Sequence, residues 1–292
     1  MKKILVTGCN GQLGRAIQNE YGNEVEFIKT DMLDMEGVIK LDISDLDAVR
    51  KTCEETKPDV IINCAAFTNV DGCEEKEDVA YQANAIGPKN LAIVSKERGI
   101  KLIHISTDYV FPGDGTRPYV ETDEPAPVSA YGRTKLAGEN FVKENADKYF
   151  ILRTAWLYGD GKNFVKTMLG AAKTHDEVSV VCDQVGTPTS AVELSKMIHF
   201  LEGTDHFGVY HATCEGDTNW AEFTETFYKK CDIKTKVNHV TSEEYAKINP
   251  AAANRPKYSI LENAHLKEVT SDFSMANWED ALDYYLANMP AE

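Results

Sequence analysis

Tyr131 and Lys135 stand four residues apart in Tyr131-Gly132-Arg133-Thr134-Lys135. On a helix, positions i and i+4 share a face, so the two side chains point together. A free phenol has a pKa of about 10. A neighbouring ammonium favours the phenolate, so Lys135 is expected to lower that value and bring Tyr131 towards acid–base use. Such a pair also arises by chance on exposed helices, and its weight comes from what accompanies it. Thr107 lies in Ser106-Thr107-Asp108-Tyr109-Val110-Phe111, directly after the apolar run Leu102–Ile105. A hydroxyl at the end of a strand can hydrogen-bond a substrate carbonyl oxygen and steady the charge that develops there.

The second constellation precedes these residues. Gly8-Cys9-Asn10-Gly11-Gln12-Leu13-Gly14 follows the apolar run Ile4-Leu5-Val6 and opens a helical pattern. Strand, glycine-rich turn and helix, in that order, suit a dinucleotide: a tight turn, a close backbone approach, and free N–H groups at the positive end of a helix. Gly8, Asn10, Gly11, Gln12, Leu13 and Gly14 are therefore expected to line a nicotinamide cofactor, with Tyr131 and Lys135 also against it and Lys135 placed to hold the nicotinamide ribose. Asp31, at the end of the second strand, can accept hydrogen bonds from the adenosine ribose. It should repel a 2′-phosphate, which favours NADH. Lys29 and Arg15 are close in sequence and can offset that repulsion, so NADPH stays open. Leu41-Asp42-Ile43 and Ala65-Ala66-Phe67-Thr68 also follow strands. Asp42 is expected beside the adenine amino group, and the small Ala65 and Ala66 admit a close backbone approach; ordinary loop packing is the alternative for both segments.

The elements that must carry these residues read as an α/β protein. Strands are expected at Ile4–Val6, Val25–Ile28, Val60–Ile62, Leu102–Ile105 and Tyr149–Leu152, with helical stretches between them such as Val79–Arg98 and Tyr131–Asn145. That alternation indicates a Rossmann-like, doubly wound parallel sheet covered on both faces. After about residue 160 the rhythm weakens. Helices at Asn163–Lys173, Ala191–Leu201, Trp220–Lys229 and Trp278–Asn288, and strands at Val178–Val181 and Gly208–His211, read as a smaller mixed α/β lobe that binds substrate. Residues 1–160 form the dinucleotide-binding part and 161–292 mainly the second lobe, with the chain crossing back. A turn is expected at Asn254-Arg255-Pro256.

Composition narrows the partners. The 292 residues suit one large domain, or one large and one small, and 42% of them are hydrophobic, enough for a real core. Lys and Arg number 31 against 47 Asp and Glu, a net charge of −16. Nucleic acid and an anionic membrane surface would be repelled, which excludes both as general partners. The apolar run after Lys2-Lys3 is too short for a signal peptide, and no stretch nears the about 20 apolar residues of a membrane helix, so a cytoplasmic location is expected. The seven cysteines are scattered, without a CxxC pair or an HExxH motif; reduced, mostly buried thiols and no metal site are expected. His104, within an apolar run, reads as a packed strand residue.

The GxxGxxG spacing resembles that of the extended short-chain dehydrogenase/reductase family. Ser106–Phe111, Tyr131-Gly-Arg-Thr-Lys-Leu-Ala-Gly-Glu139, Asp183-Gln-Val-Gly-Thr-Pro-Thr189, Arg153-Thr-Ala-Trp-Leu-Tyr158 and Arg255-Pro256 narrow the resemblance to the dTDP-4-dehydrorhamnose reductase group, over essentially the whole chain. The resemblance implies NAD(P)H-dependent reduction of the 4-keto group of dTDP-6-deoxy-L-lyxo-4-hexulose to dTDP-L-rhamnose, for surface polysaccharide. Thr107, Tyr131 and Lys135 carry over as the catalytic triad, Trp156 as a lining of the sugar site and Asp108 as a sugar contact. Asn84 carries over as the helix asparagine near the cofactor that supports a proton relay. Arg255 is the candidate for the substrate diphosphate, because guanidinium binds phosphate bidentately. Some relatives are dimers joined through a glutamate-bound metal. One such position falls near Arg15, which cannot ligate a cation, so no metal is expected there and monomer and homodimer stay open. The alternatives are another nucleotide-sugar reductase or epimerase, and a non-catalytic NAD(P)-binding regulatory subunit. A dehydratase is disfavoured because Tyr109, not Glu, follows Asp108.

Overall fold

The structure is a computed structural model and describes residues 1–22, 24–248 and 255–289. Numbering only the strands of the main sheet, these are β1 (Lys2–Thr7), β2 (Val25–Asp31), β3 (Ile39–Lys40), β4 (Val60–Asn63), β5 (Lys101–Thr107), β6 (Tyr149–Thr154) and β7 (Gly208–His211). They lie side by side in the order β7-β6-β5-β4-β1-β2-β3, and every pairing is parallel. The order reverses between β1 and β4, which opens a crevice at the carboxyl ends of the strands, where ligands bind in such sheets.

Alternate strand residues bury into two separate layers, as a sheet covered on both faces requires. Ile4, Val6, Ile62, Phe150 and Leu152 pack against Leu13 and Ile17 of helix Gln12–Glu20 and Leu194, Met197 and Leu201 of helix Ala191–Glu202. Leu5, Ile61, Leu102 and Ile151 face the other way, onto Val49, Leu91, Val94 and Val142 of three helices that include Gly87–Arg98 and Ala130–Asn145. The doubly wound α/β architecture read from the sequence is the one observed.

Three local readings change. Ile39–Lys40 adds a short edge strand beside β2, so Leu41-Asp42-Ile43 follows that strand. Val79–Arg98 is not one helix: a π-helical stretch, Gln82–Ile86, separates Glu77–Tyr81 from Gly87–Arg98. The strand Gly208–His211 completes the main sheet against β6, and helix Ala191–Glu202 packs on the same sheet. The smaller lobe has its own aromatic core of Tyr158, Phe223, Phe227, Trp278 and Tyr285, beside a parallel pairing of Glu177–Val181 with Lys236–Val240. Asn254 lies outside the described residues; Arg255 and Pro256 lie within them.

Helix Ala130–Asn145, which carries Tyr131 and Lys135, sits close against the segment that follows β5. A Cβ on Gly132 would lie 2.2 Å from the carbonyl oxygen of Tyr109. Gly132→Ala is expected to push the helix off this segment, with a loss of about 1–3 kcal/mol for the overpacking. Thermal denaturation and kcat, measured together, should both fall; unchanged kcat would mean that the contact does not set the site.

Candidate active site

The glycine turn forms as the sequence predicts. Gly8 has φ +59°, a conformation that L side chains rarely adopt. A Cβ on Gly14 would sit 2.5 Å from the Gly8 carbonyl oxygen, and one on Gly8 would sit 2.9 Å from the Ala65 nitrogen. Helix Gln12–Glu20 starts at Gly11 with no side chain capping its N–H groups. The turn is thus a cradle of bare backbone with the positive end of a helix aimed into the crevice, which fits a dinucleotide pyrophosphate. Asp31 ends β2 beside it; its carboxylate accepts from Leu33 N at 3.2 Å and from Asn10 N at 3.4 Å. Arg15 is turned away to Asp160, 3.2 Å from its carboxylate, and donates to Asn10.

The two flanking loops are held from below. Leu41 and Ile43 bury in the core while Asp42 stays exposed, one of its oxygens accepting from both Ser44 N and Ser44 Oγ. Thr7 Oγ1 donates to Asn63 Oδ1 at 2.6 Å and accepts from Ala65 N. Ala65, Ala66 and Phe67 are half-buried and Thr68 is exposed. Asn84 is completely buried: its amide accepts from Phe67 N and donates to Phe67 O and Thr134 Oγ1. Its side chain is therefore spent on tying the Phe67 loop to the catalytic helix, and the irregular π stretch is what lets it reach both. Direct contact with a cofactor is not open to a fully buried amide.

Thr107, Tyr131 and Lys135 come together at the carboxyl end of β5. Ser129 caps the catalytic helix by accepting from Gly132 N at 3.1 Å, which fixes Tyr131 in the first turn. The Thr107 hydroxyl faces the phenol of Tyr131. Tyr109 lies edge-on to the Tyr131 ring, with centroids 5.4 Å apart. Lys135 is 2% exposed and its ammonium donates to the Ile105 carbonyl at 2.5 Å. Burial lowers its pKa to about 8, with Glu139 opposing the drop. The expectation for Tyr131 is corrected: its pKa is raised, first by burial and then by the Asp108 carboxylate, and only Thr107 pulls it down. The phenol is a neutral donor here, with the ammonium committed to the strand.

Two of the expected substrate contacts, Asp108 and Arg255, lie beside this cluster, and Trp156 is held in the second lobe. Asp108 is 3% exposed and burial raises its pKa to about 6. Arg255 pairs with Asp71 at 3.1 Å and lies close to Tyr109, whose ring meets that of Tyr131. Trp156 has φ +48°, rare for a bulky residue, packs on Gly186 and stacks on Trp220 at 3.6 Å.

Sequence reasoning missed the layer behind the triad. Glu139 and Arg153 are both buried and form a two-pronged pair at 3.0 and 2.8 Å; Ser106 Oγ donates to the same carboxylate at 2.6 Å. Two signals were available: Glu139 lies four residues beyond Lys135, and Arg153 is a charge inside a buried strand. All seven cysteines are free thiols and His104 is buried against Asn63, as expected. Among the described residues, no helix is long and apolar enough to cross a membrane.

The family model described as "RmlD substrate binding domain" matches residues 1–290. The spore coat polysaccharide biosynthesis protein SpsK of Bacillus subtilis is 38% identical, over 98% of this chain and 97% of its own length. The dTDP-4-dehydrorhamnose reductase of Salmonella typhimurium is 35% identical over 98% and 97%. Among solved structures, a dTDP-4-dehydrorhamnose reductase from Clostridium acetobutylicum is 50% identical, with a TM-score of 0.92 over 98% of each chain. Another, from Bacillus anthracis in complex with NADP, is 41% identical, with a TM-score of 0.92 over 99% of this chain and all of that one. With a doubly wound sheet, a bare glycine cradle and a Thr–Tyr–Lys cluster at its edge, the chain belongs to the RmlD substrate binding domain family.

Proposed function

We propose that this chain reduces the 4-keto group of dTDP-6-deoxy-L-lyxo-4-hexulose to give dTDP-L-rhamnose, as an NAD(P)H-dependent short-chain reductase. The observation that carries the reading is the meeting of Thr107, Tyr131 and buried Lys135 beside the glycine cradle. The names of the relatives support it. When bound, the reduced nicotinamide supplies the hydride. Gly8, Asn10, Gly11, Gln12, Leu13 and Gly14 hold its pyrophosphate, Asp31 its adenosine ribose, and Asp42, Ile43 and Ala65–Thr68 its flanks. Thr107 steadies the substrate oxygen, Tyr131 gives it a proton, and Lys135 places positive charge beneath the site. Asp108 and Trp156 orient the sugar. Arg255 exchanges the Asp71 carboxylate for the diphosphate. Residues 1–160 act as the cofactor part and 161–292 mainly as the substrate lobe, in a cytoplasmic monomer or homodimer.

Mass spectrometry of the product tests the reaction. With deuterium at both C4 positions of the reduced nicotinamide, one deuterium should appear in the product, at sugar C4; a product without it would sink the reading. For the cofactor we favour NADH, because Asp31 ends β2 and Arg15 is held by Asp160. Asp31→Ser should move the ratio of kcat/KM towards NADPH by roughly tenfold, worth about 1.4 kcal/mol. A wild-type preference for NADPH would overturn the role given to Asp31.

A further inference from the structure

Asp108 carries more than a sugar contact needs. Its Oδ1 meets Thr107 Oγ1 at 2.8 Å, while Oδ2 is buried with no hydrogen-bond partner. Ser259 faces the same carboxyl without giving Oδ2 a bond of normal geometry. A buried carboxylate normally has both oxygens satisfied, and one left bare favours the neutral acid. Thr107 Oγ1 also accepts from Tyr109 N at 3.2 Å and faces the Tyr131 phenol. Thr107 thus stands between Asp108 and Tyr131.

A hydroxyl has one proton and two lone pairs. With Asp108 ionised, the Thr107 proton points at the carboxylate, and Thr107 can only accept from Tyr131. The phenolic proton is then turned away from substrate. With Asp108 neutral, its proton points at Thr107, and Thr107 is free to donate onward.

We propose that Asp108, in its neutral form, is the proton reservoir that refills Tyr131 through Thr107. The proposal rests on the reductase reading. The carbonyl carbon is reduced by the nicotinamide hydride, and the Tyr131 O–H breaks as the sugar O–H forms. The Thr107 O–H breaks as the Tyr131 O–H re-forms. The Asp108 O–H breaks as the Thr107 O–H re-forms, leaving a carboxylate that takes a proton from water when product leaves. Asp108 is a positioning and proton-supplying residue, acting through Thr107.

The groups facing Asp108 are Thr107 and Tyr109 on its own segment, Tyr131 from the catalytic helix and Ser259 from the 255–263 segment, with Arg255 and Asp71 behind Tyr109. Burial lifts its pKa to about 6. Asp is ordinarily deprotonated well below that, near 3.9, so the neutral form persists into a useful range and is lost as pH rises.

The test has two arms. Infrared difference spectra of the cofactor-free protein, with 13C-labelled aspartate, follow the carboxylic acid band with pH. One band titrating about two units above the ordinary value, absent in Asp108→Asn, is expected; a carboxyl titrating normally would overturn the proposal. In single turnovers with cofactor and keto-sugar, wild-type rates should fall as pH rises through the same value. Asp108→Asn should lose this limb and about 10²-fold in rate, the lower range for general acid catalysis, with cofactor binding unchanged. Asp108→Glu should regain a displaced limb. An Asp108→Asn enzyme that keeps both rate and limb would overturn the proposal. If wild type turns over no keto-sugar, the reductase reading fails, and the infrared titration still decides the state of Asp108.

Discussion

Tyr131→Phe is expected to lower kcat by about 10²–10⁴-fold, the usual worth of a placed general acid, with cofactor affinity unchanged within about twofold. The substitution is narrow. The ring stays edge-on to Tyr109, the Ser129 cap stays, and Lys135 keeps its bond to Ile105. What goes is one hydroxyl, the partner of Thr107. Its pKa stands above that of a free phenol, yet a sugar alkoxide is a far stronger base than a phenolate, so donation runs downhill. A phenol that stays neutral suits reduction, where the acid must hold its proton until the alkoxide appears. Rapid-quench kinetics with a parallel fluorescence titration of cofactor would separate the two effects. A Phe variant with normal turnover would move the proton donor elsewhere.

Glu139→Ala is expected to cost about 3–5 kcal/mol of stability, the range for removing one partner of a buried ion pair. Arg153 would be left charged in the sheet with only the Phe111 ring, 5.0 Å from its guanidinium carbon, as compensation. Burial alone would raise the pKa of Glu139, but the bonds and charge of Arg153 overcome it and hold the carboxyl below its ordinary value of 4.5. A depressed carboxylate contributes stability above the unfolded pKa and loses it as pH falls through the folded one. Denaturant melts of wild type should therefore weaken below pH 4.5, and Glu139→Gln should lack that share of the decline. Glu139 also supports the charge of Lys135 one turn away. Above the fall assigned to Asp108, wild-type activity should show a second alkaline step from Lys135 near 8, and in Glu139→Gln that second step should move lower.

Most of the scaffold was legible because its signals are local. Apolar runs separated by helical periods specify a covered parallel sheet, and the glycines at 8, 11 and 14 specify a turn only bare backbone can make. The i to i+4 spacing placed Tyr131 over Lys135. What was not legible depends on distance in sequence. Gly208–His211 looks like any short strand until β6 offers it an edge. Asn84 reads as a helix residue, and its reach to Phe67 needs a π stretch that no periodicity announces. The direction of the Tyr131 shift was misread for the same reason. Spacing says that an ammonium is near, but not that the ammonium is tied to Ile105 or that burial outweighs it. Arg255 was chosen for its chemistry, and its partners Asp71 and Tyr109 lie more than a hundred residues away.

The central claim is that the cluster at the end of β5 reduces a keto-sugar nucleotide. The purified chain, mixed with the dTDP-4-keto-6-deoxysugar and with NADH or NADPH in turn, can be followed by the near-ultraviolet absorbance of the reduced nicotinamide. The account predicts a loss of that absorbance that requires the sugar, proceeds one for one with its consumption and yields dTDP-L-rhamnose. No sugar-dependent loss with either cofactor would contradict it.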